Sequence, residues 1–274
     1  MSERTSYVPG TPCWVDLATP DIEAAERFYG ELFGWEIPEL PNSAEMGGYR
    51  RAKLGGRDVA GAVPLMQEGQ PPAWSTYISV DDIEALGRAV QENDGTMIAA
   101  PMAVADYGRL ALFTDPEGAF FGMWEPADFA GAELVNEKGT FGWTELNTRD
   151  PEAAKRFYGA VFGWEANDLE IEGGGTYTEW RVEGRQVGGM LDMRGRVPDE
   201  VPAHWLVYFG SVDTDEAVAK IKELGGEVMF GPVDIQPGRL AVVKDPFGAH
   251  FAVLTPNEEI EQRRAQLDSE LGPA

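Results

Sequence analysis

Few side chains here could do chemistry. The chain holds two histidines, His204 and His250, and one cysteine, Cys13, so no internal disulfide and no thiolate metal cluster is expected. Side chains two apart on a strand share a face. In HWLVYFG that puts His204, Leu206 and Tyr208 together, and in WTELNT it puts Trp143 with Glu145. Glu145, His204, His250 and Tyr208 could together supply a general base, an acid and an oxyanion donor, since a part-buried carboxylate beside an imidazole can be tuned toward neutral pH. The plainer reading of each histidine is a structural residue with satisfied hydrogen bonds. WVDLAT pairs Trp14 with Asp16 on one face and the apolar Val15 with Leu17 on the other. For Asp16 and Glu145 the plainer reading is a carboxylate bonded to backbone at a strand end, because an inward charge needs a partner.

These residues sit in a chain that repeats itself. RFYGELFGWE at Arg27 returns as RFYGAVFGWE at Arg156. GRDVAGAV at Gly56 answers GRQVGGML at Gly184, and YGRLALFTDPEGAFFGMWEP at Tyr107 answers PGRLAVVKDPFGAHFAVLTP at Pro237. A period this long signals duplicated domains, expected over residues 11–126 (Thr11 to Pro126) and 140–256 (Thr140 to Pro256). Residues 127–138, ADFAGAELVNEK, read as a linker of small and charged residues, and residues 257–274 as a polar tail without visible chemistry.

Within each repeat a strand leads to an aspartate cap (Asp21, Asp82, Asp150, Asp213), then an apolar-periodic helix. Gly34, Gly95 or Gly163 is expected to stop the helix, Trp35 to start the next strand, and DPEG or DPFG to turn a late hairpin. The unit is β-α-β-β-β, used about four times. Phe28, Leu32 and Phe33 in the repeated phrase then anchor a helix on a sheet. Trp74 and Trp205, of opposite parity to the site residues, belong to the core. Arg109 and Arg239 read as salt-bridge partners at a hairpin, with anion recognition the sharper alternative, and the Gly-Arg segments are too short for nucleotide motifs.

The succession of strand, D-x-E-x-A-x-x-FY, glycine stop and DPxG hairpin resembles the vicinal oxygen chelate superfamily of glyoxalase I, extradiol dioxygenases, and fosfomycin and bleomycin resistance proteins. It is most similar to tandem-domain, glyoxalase-like actinobacterial proteins labelled hydroxylases, a label that names no chemistry by itself. The resemblance implies an α+β fold: two tandem domains, each of two βαβββ modules curled into a cup-shaped mixed sheet, with helices outside and ligand or metal on the concave face. Carried over position by position, the family's metal ligands fall on Trp14, Trp143, Ser75, Leu206, Gly122 and Ala252, whose side chains are not usual ligands. A divalent site needs several converging N or O donors; no metal and no cofactor are therefore expected.

By strand parity, the concave faces instead receive Trp14, Asp16, Ser75, Tyr77, Phe120 and Trp124 in the first cup, and Trp143, Glu145, His204, Leu206, Tyr208, His250 and Leu254 in the second. Aromatic faces with a few polar groups make a small-molecule site, suited to flat ligands that stack.

The formal charge of -25, from 47 acidic and 22 basic side chains, repels phosphate backbones and anionic lipid. Neither nucleic-acid nor membrane partners are expected. MSERTSYVPG lacks the apolar run of a signal peptide and no stretch is apolar for long enough to span a bilayer, so a cytoplasmic location is expected. A small molecule is the expected partner, bound by a monomer whose paired domains mimic a dimer, or by a homodimer. Three functions stay open: a metal-independent binder of an aromatic or hydrophobic metabolite or drug; an enzyme (a cofactor-free isomerase, cyclase or lyase using Glu145 with His204 or His250, or a hydroxylase or oxygenase); and an interaction protein with vestigial cups.

Overall fold

The structure is a computed structural model that describes residues 3–40, 43–44, 46–171, 174–260 and 262; most of the polar tail lies outside them. The first half runs β1 (Pro12–Thr19), α1 (Ile22–Phe33), β2 (Arg50–Leu54), β3 (Arg57–Pro64), β4 (Ala73–Ser79), α2 (Ile83–Glu92), β5 (Thr96–Val104), β6 (Gly108–Thr114) and β7 (Phe120–Pro126). The second runs β8 (Phe141–Thr148), α3 (Pro151–Phe162), β9 (Glu165–Glu170), β10 (Thr176–Val182), β11 (Arg185–Asp192), β12 (His204–Gly210), α4 (Thr214–Glu223), β13 (Glu227–Ile235), β14 (Gly238–Lys244) and β15 (His250–Pro256). Each half folds into one mixed sheet, in the order β2-β3-β1-β4-β7-β6-β5 and β13-β14-β15-β12-β8-β11-β10-β9.

The helix signals act as their chemistry requires. Asp21, Asp82, Asp150 and Asp213 each accept a hydrogen bond from the first turn of their helix, and Gly34 and Gly163 end α1 and α3 in the left-handed conformation. Two details differ from expectation. After α2 the left-handed residue is Asp94 (φ 66°), and Gly95 serves close approach, since a Cβ there would meet Val90 at 2.6 Å. After α1 the chain makes one bridge, Glu36 to Lys53, rather than a strand at Trp35, which is why the first sheet has seven strands and the second eight.

The helices lie outside the cups but inside the molecule, between the convex faces of the two sheets. One core joins α1 residues Phe28, Tyr29 and Phe33 to Phe209, Phe251 and Ile221 of the second half. Another joins Ile83, Phe113 and Phe121 to Phe157, Tyr158, Trp180 and Trp205. The repeated phrase is thus a packing device across the halves as well as within them. Leu32 is only partly buried, while Phe33 meets Phe209 at 5.2 Å and Tyr29 meets Phe251 at 5.7 Å.

Two crossed hydrogen-bond relays tie the halves. Tyr29 donates to Asp245 Oδ2 (3.1 Å) and accepts from Trp74 Nε1 (3.1 Å). Tyr158 donates to Asp115 Oδ2 (3.1 Å) and accepts from Trp205 Nε1 (3.0 Å). The other carboxylate oxygen of each aspartate accepts from its own DPxG turn. The turn of each half is therefore held by the helix tyrosine of the other, and Trp74 and Trp205 are core residues. Arg109 pairs with Glu84 and Glu125, and Arg239 with Asp215 and Asp234.

Tyr29→Phe would leave Asp245 Oδ2 and Trp74 Nε1 buried without this partner, at an expected cost of about 1–3 kcal/mol. Urea unfolding of Tyr29→Phe, Asp245→Asn and the double variant should show non-additive losses; additive losses would mean the relay carries no coupling.

Candidate functional site in the two cups

Each cup is built round one buried carboxyl group. Asp16 and Glu145 are both 5% exposed, at matching places: Asp16 lies opposite Gly61 and Ser75, Glu145 opposite Gly189 and Leu206. The hydroxyls of Tyr77 and Ser75 are directed at Asp16, and those of Tyr208 and Tyr177 at Glu145, which also accepts from Asn147 Nδ2 at 3.2 Å. Above each carboxyl, a tryptophan donates to a second tyrosine. Trp14 Nε1 reaches Tyr49 Oη at 2.6 Å and Trp143 Nε1 reaches Tyr177 Oη at 2.8 Å.

The halves satisfy the carboxyl differently because its reach differs. Asp16 has a short arm and takes the Ser75 hydroxyl directly across the strand pair. Glu145 is one methylene longer, faces apolar Leu206, and extends to Tyr177 and Asn147 instead. Burial pushes the Asp16 carboxyl up to about 7, against the pull of the Tyr77 and Ser75 hydroxyls. Burial also raises Glu145, against Tyr208, Tyr177 and Asn147. All four tyrosines are held well above their usual range by burial and by the neighbouring carboxylate.

As strand parity from sequence expects, Trp14 and Asp16 share a sheet face with Tyr77 and Ser75 opposite them, and Trp143 and Glu145 with Tyr208 and Leu206. Parity missed Tyr49 and Tyr177. Both stand seven residues before the glycine of a repeated Gly-Arg segment, so aligning the repeats backward from Gly56 and Gly184 would have found them. The glycines of those segments also gain a reason: a Cβ at Gly61 would overlap Tyr49 Oη and come within 2.8 Å of Asp16 Cβ, and one at Gly189 would overlap Tyr177 Oη.

The histidines stand apart from this arrangement. His204 faces Asn147 across the strands and its Nδ1 lies 2.9 Å from Pro202 O. His250 begins β15 opposite Lys244 and is exposed. Burial is the main cause lowering both imidazoles, and each lies near enough to charged neighbours to be lowered further. Glu145 is thus assembled with Tyr208 rather than with either imidazole. Phe120 pairs with Thr114 at the start of β7, partly buried.

The cups differ in what covers them. Phe129, from the segment between the halves, lies in the first cup edge-on to Trp14 at 4.9 Å and 6.0 Å from Trp124. The Arg51 guanidinium sits 5.2 Å from its ring centroid. In the second cup Leu206, Tyr208, Leu240 and Ala252 form a separate apolar cluster with Trp143, Val242 and Leu254. A crevice of about 20 Å³ opens between Trp143, Tyr208 and Leu254, room for a water, so a larger guest must part these side chains. Phe230, opposite Val242, leaves 57% of its surface in solvent beside the cluster. A larger open groove, about 510 Å³, lies at the N-terminal end of α1 among Asp21, Glu23, Glu39 and Arg50, outside either cup.

Sequence comparison matches residues 13–123 and 140–253 to the model of the Glyoxalase/Bleomycin resistance protein/Dioxygenase superfamily. The chain belongs to that superfamily. Among relatives, a Mycobacterium tuberculosis protein named "Putative glyoxylase CFP32" is 42% identical over 262 residues, covering 93% of this chain and 98% of its own. The Streptomyces peucetius "Anthracycline biosynthesis protein DnrV" is 35% identical over 264 residues, covering 91% and 94%. Solved structures of similar fold include the Mn(II)-bound glyoxalase from Novosphingobium aromaticivorans (TM-score 0.60, 14% identity, 92% of this chain and 89% of that one). The 2,3-dioxygenase LapB from Pseudomonas sp. KL28 is another (TM-score 0.62, 13% identity, 92% and 96%).

The metal that a superfamily of this kind implies does not fit the residues present. Among the described residues no three His, Cys, Asp or Glu side chains converge. A Cβ at Gly122 would overlap the Tyr77 ring, so the place carried over for a glutamate ligand is taken by an aromatic face. Asp16 and Glu145 are already engaged by hydroxyl donors, and Glu179, on the face of Glu145, by Arg181, Gln186 and Asn167. No helix among the described residues is long and apolar enough to cross a membrane.

Asp16 gives this superfamily member a pH signature. The unfolded chain releases the Asp16 proton near the ordinary aspartate value of 3.8, while the folded chain keeps it until about 7. Stability from this group is therefore full below the unfolded value and is lost as pH rises through that window, at up to about 1.4 kcal/mol per pH unit. Asp16→Asn should flatten that fall in urea unfolding between about pH 4.5 and 7; an unchanged slope would mean Asp16 ionises freely when folded.

Proposed function

We propose that the protein binds a flat aromatic or hydrophobic small molecule in its second cup, without a metal. One observation carries the reading. In the second cup the positions where the superfamily's ligands would stand hold Trp143, Leu206 and Ala252, and all three belong to an apolar cluster whose margin, at Phe230, Val242 and Leu254, is partly open. Apolar walls with a few oriented hydroxyls are the usual constitution of an organic-ligand site. The name of the Streptomyces relative, an anthracycline biosynthesis protein, agrees with a polycyclic guest. In this reading Trp143 and Leu254 grip the ring system, and Tyr208 and Tyr177, whose own protons are directed at Glu145, offer oxygens that accept from a hydroxyl of the guest.

2-Naphthol is a suitable neutral probe. It should quench tryptophan fluorescence saturably, and Trp143→Ala should weaken binding at least about tenfold through lost stacking and buried area. Non-saturable quenching, or equal affinity in Trp143→Ala, would contradict the assignment.

A second reading, a metal-free enzyme of acid–base type, is favoured by the raised, hydroxyl-bonded Glu145. A carboxyl tuned upward suits proton transfer at carbon. The two readings separate on 2-tetralone in deuterium oxide. If the protein is a binder, α-proton exchange followed by NMR proceeds at the buffer rate; if an enzyme, exchange accelerates and Glu145→Gln abolishes the acceleration.

A further inference from the structure

Phe129 occupies the first cup as a guest would. Its ring meets Trp14 at 88° and Trp124 at 74°, Tyr107 closes a third side at 6.4 Å, and Arg51 covers it. The segment carrying it is pinned in place: Trp124 Nε1 donates to Phe129 O at 2.7 Å, and the Ala127 and Phe129 amides donate to Tyr107 O. Trp14 and Trp124 correspond through the repeat to Trp143 and Leu254, and those two residues line the crevice of the second cup.

The chain after each half begins alike and then diverges. Asn257 N donates to Pro237 O just as Ala127 N donates to Tyr107 O. Asn257 then accepts from Ile260 N and starts a helical turn, and no aromatic residue follows anywhere in NEEIEQRRAQLDSELGPA. Among the described residues no aromatic ring packs on Trp143 as Phe129 does on Trp14.

We propose that Phe129 is a tethered ligand: its ring fills an aromatic-binding site in the first cup, and the matching place against Trp143 and Leu254 is the ring site of the second. This rests on the reading of the second cup as a binding site and adds to it a ring position, a stoichiometry and a latent second site. The wild-type chain takes one aromatic guest, in the second cup, because the first is filled from within. The surroundings also set ligand character. The first site places a guanidinium over the ring, whereas the residue at the register place of Arg51 in the second half is Glu179 (Arg51 faces Gly61, Glu179 faces Gly189). Glu179 is engaged by Arg181, Gln186 and Asn167. Arg51 is paired with Asp58 at 2.6 Å and still sets a cation where the second site has an anion, so a phenolate or aromatic carboxylate is better suited to the first site than to the second.

Counting 2-naphthol sites by equilibrium dialysis tests this. Wild type should show one site and Phe129→Ala two. Phe129→Ala with the same count as wild type, or wild type with two sites, overturns the proposal. Should wild type show none while Phe129→Ala shows one, the function and ring site proposed for the second cup fall, and Phe129 as the tethered ligand of the first cup stands. Trp143→Ala, which leaves Phe129 in place, covers the case where Phe129→Ala does not fold: it should show no 2-naphthol site of wild-type affinity, and one such site would show the first cup open and overturn the proposal. Benzoate should bind Phe129→Ala at least about tenfold more tightly than wild type; equal affinity would remove Arg51 from the site.

Discussion

A carboxyl group taken out of water must find hydrogen-bond donors or keep its proton, and both cups are organised by that requirement. Asp16 and Glu145 lie at the sheet centre, where solvent cannot serve them. Donors must then come from side chains on neighbouring strands, and a phenol reaching across a sheet needs empty space at the residue it crosses. Gly61 and Gly189 provide that space for Tyr49 and Tyr177, and Gly122 for the Tyr77 ring. The indole of Trp14 or Trp143 then donates to the phenol. Substituting any one member leaves another buried group without its partner, so the arrangement changes as a set. It also fills the space in which a cation would be coordinated.

Both repeated halves carry this set, and they differ in what surrounds it. Where the first half has Asp16 with Ser75, the second has Glu145 with Leu206, a paired difference that keeps the carboxyl satisfied and makes the second cup more apolar. Arg51 stands where the second half has Glu179, and the first cup holds Phe129. The convex sides diverged less. Tyr29 with Asp245 and Tyr158 with Asp115 make the same bond in opposite directions, because packing two sheets about a shared helical layer constrains both halves equally. One half can be closed and the other left accessible on a common frame.

Much of this was legible in the sequence, for physical reasons. The aspartate caps, the glycine stops and the DPxG turns are local events, and strand alternation fixes which of Trp14, Asp16, Tyr77, Trp143, Glu145 and Tyr208 share a face. Interactions that join distant segments were not. Nothing local to Tyr29 says that its hydroxyl will meet Asp245 of the other half. Tyr49 precedes the first assigned residue of β2, so alternation within that strand does not reach it. Phe129 lies among alanines, acids and glycine, where composition suggests a free connector; the structure shows that segment fixed to the first sheet, with Ala132 N on Cys13 O at 2.9 Å and Phe129 between two indoles. The histidines attracted notice by their rarity, but the carboxyl they were matched with is held by phenols.

The central claim is that ring-and-hydroxyl packing has replaced ion coordination in both cups. Equilibrium dialysis of the whole protein against Mn(II), Fe(II) and Zn(II), with bound metal counted per chain and the melting temperature followed on adding a strong chelator, tests it most directly. The account predicts well under one metal per chain and an unchanged melting temperature. One tightly held transition metal per chain, whose removal lowers the melting temperature, would contradict it.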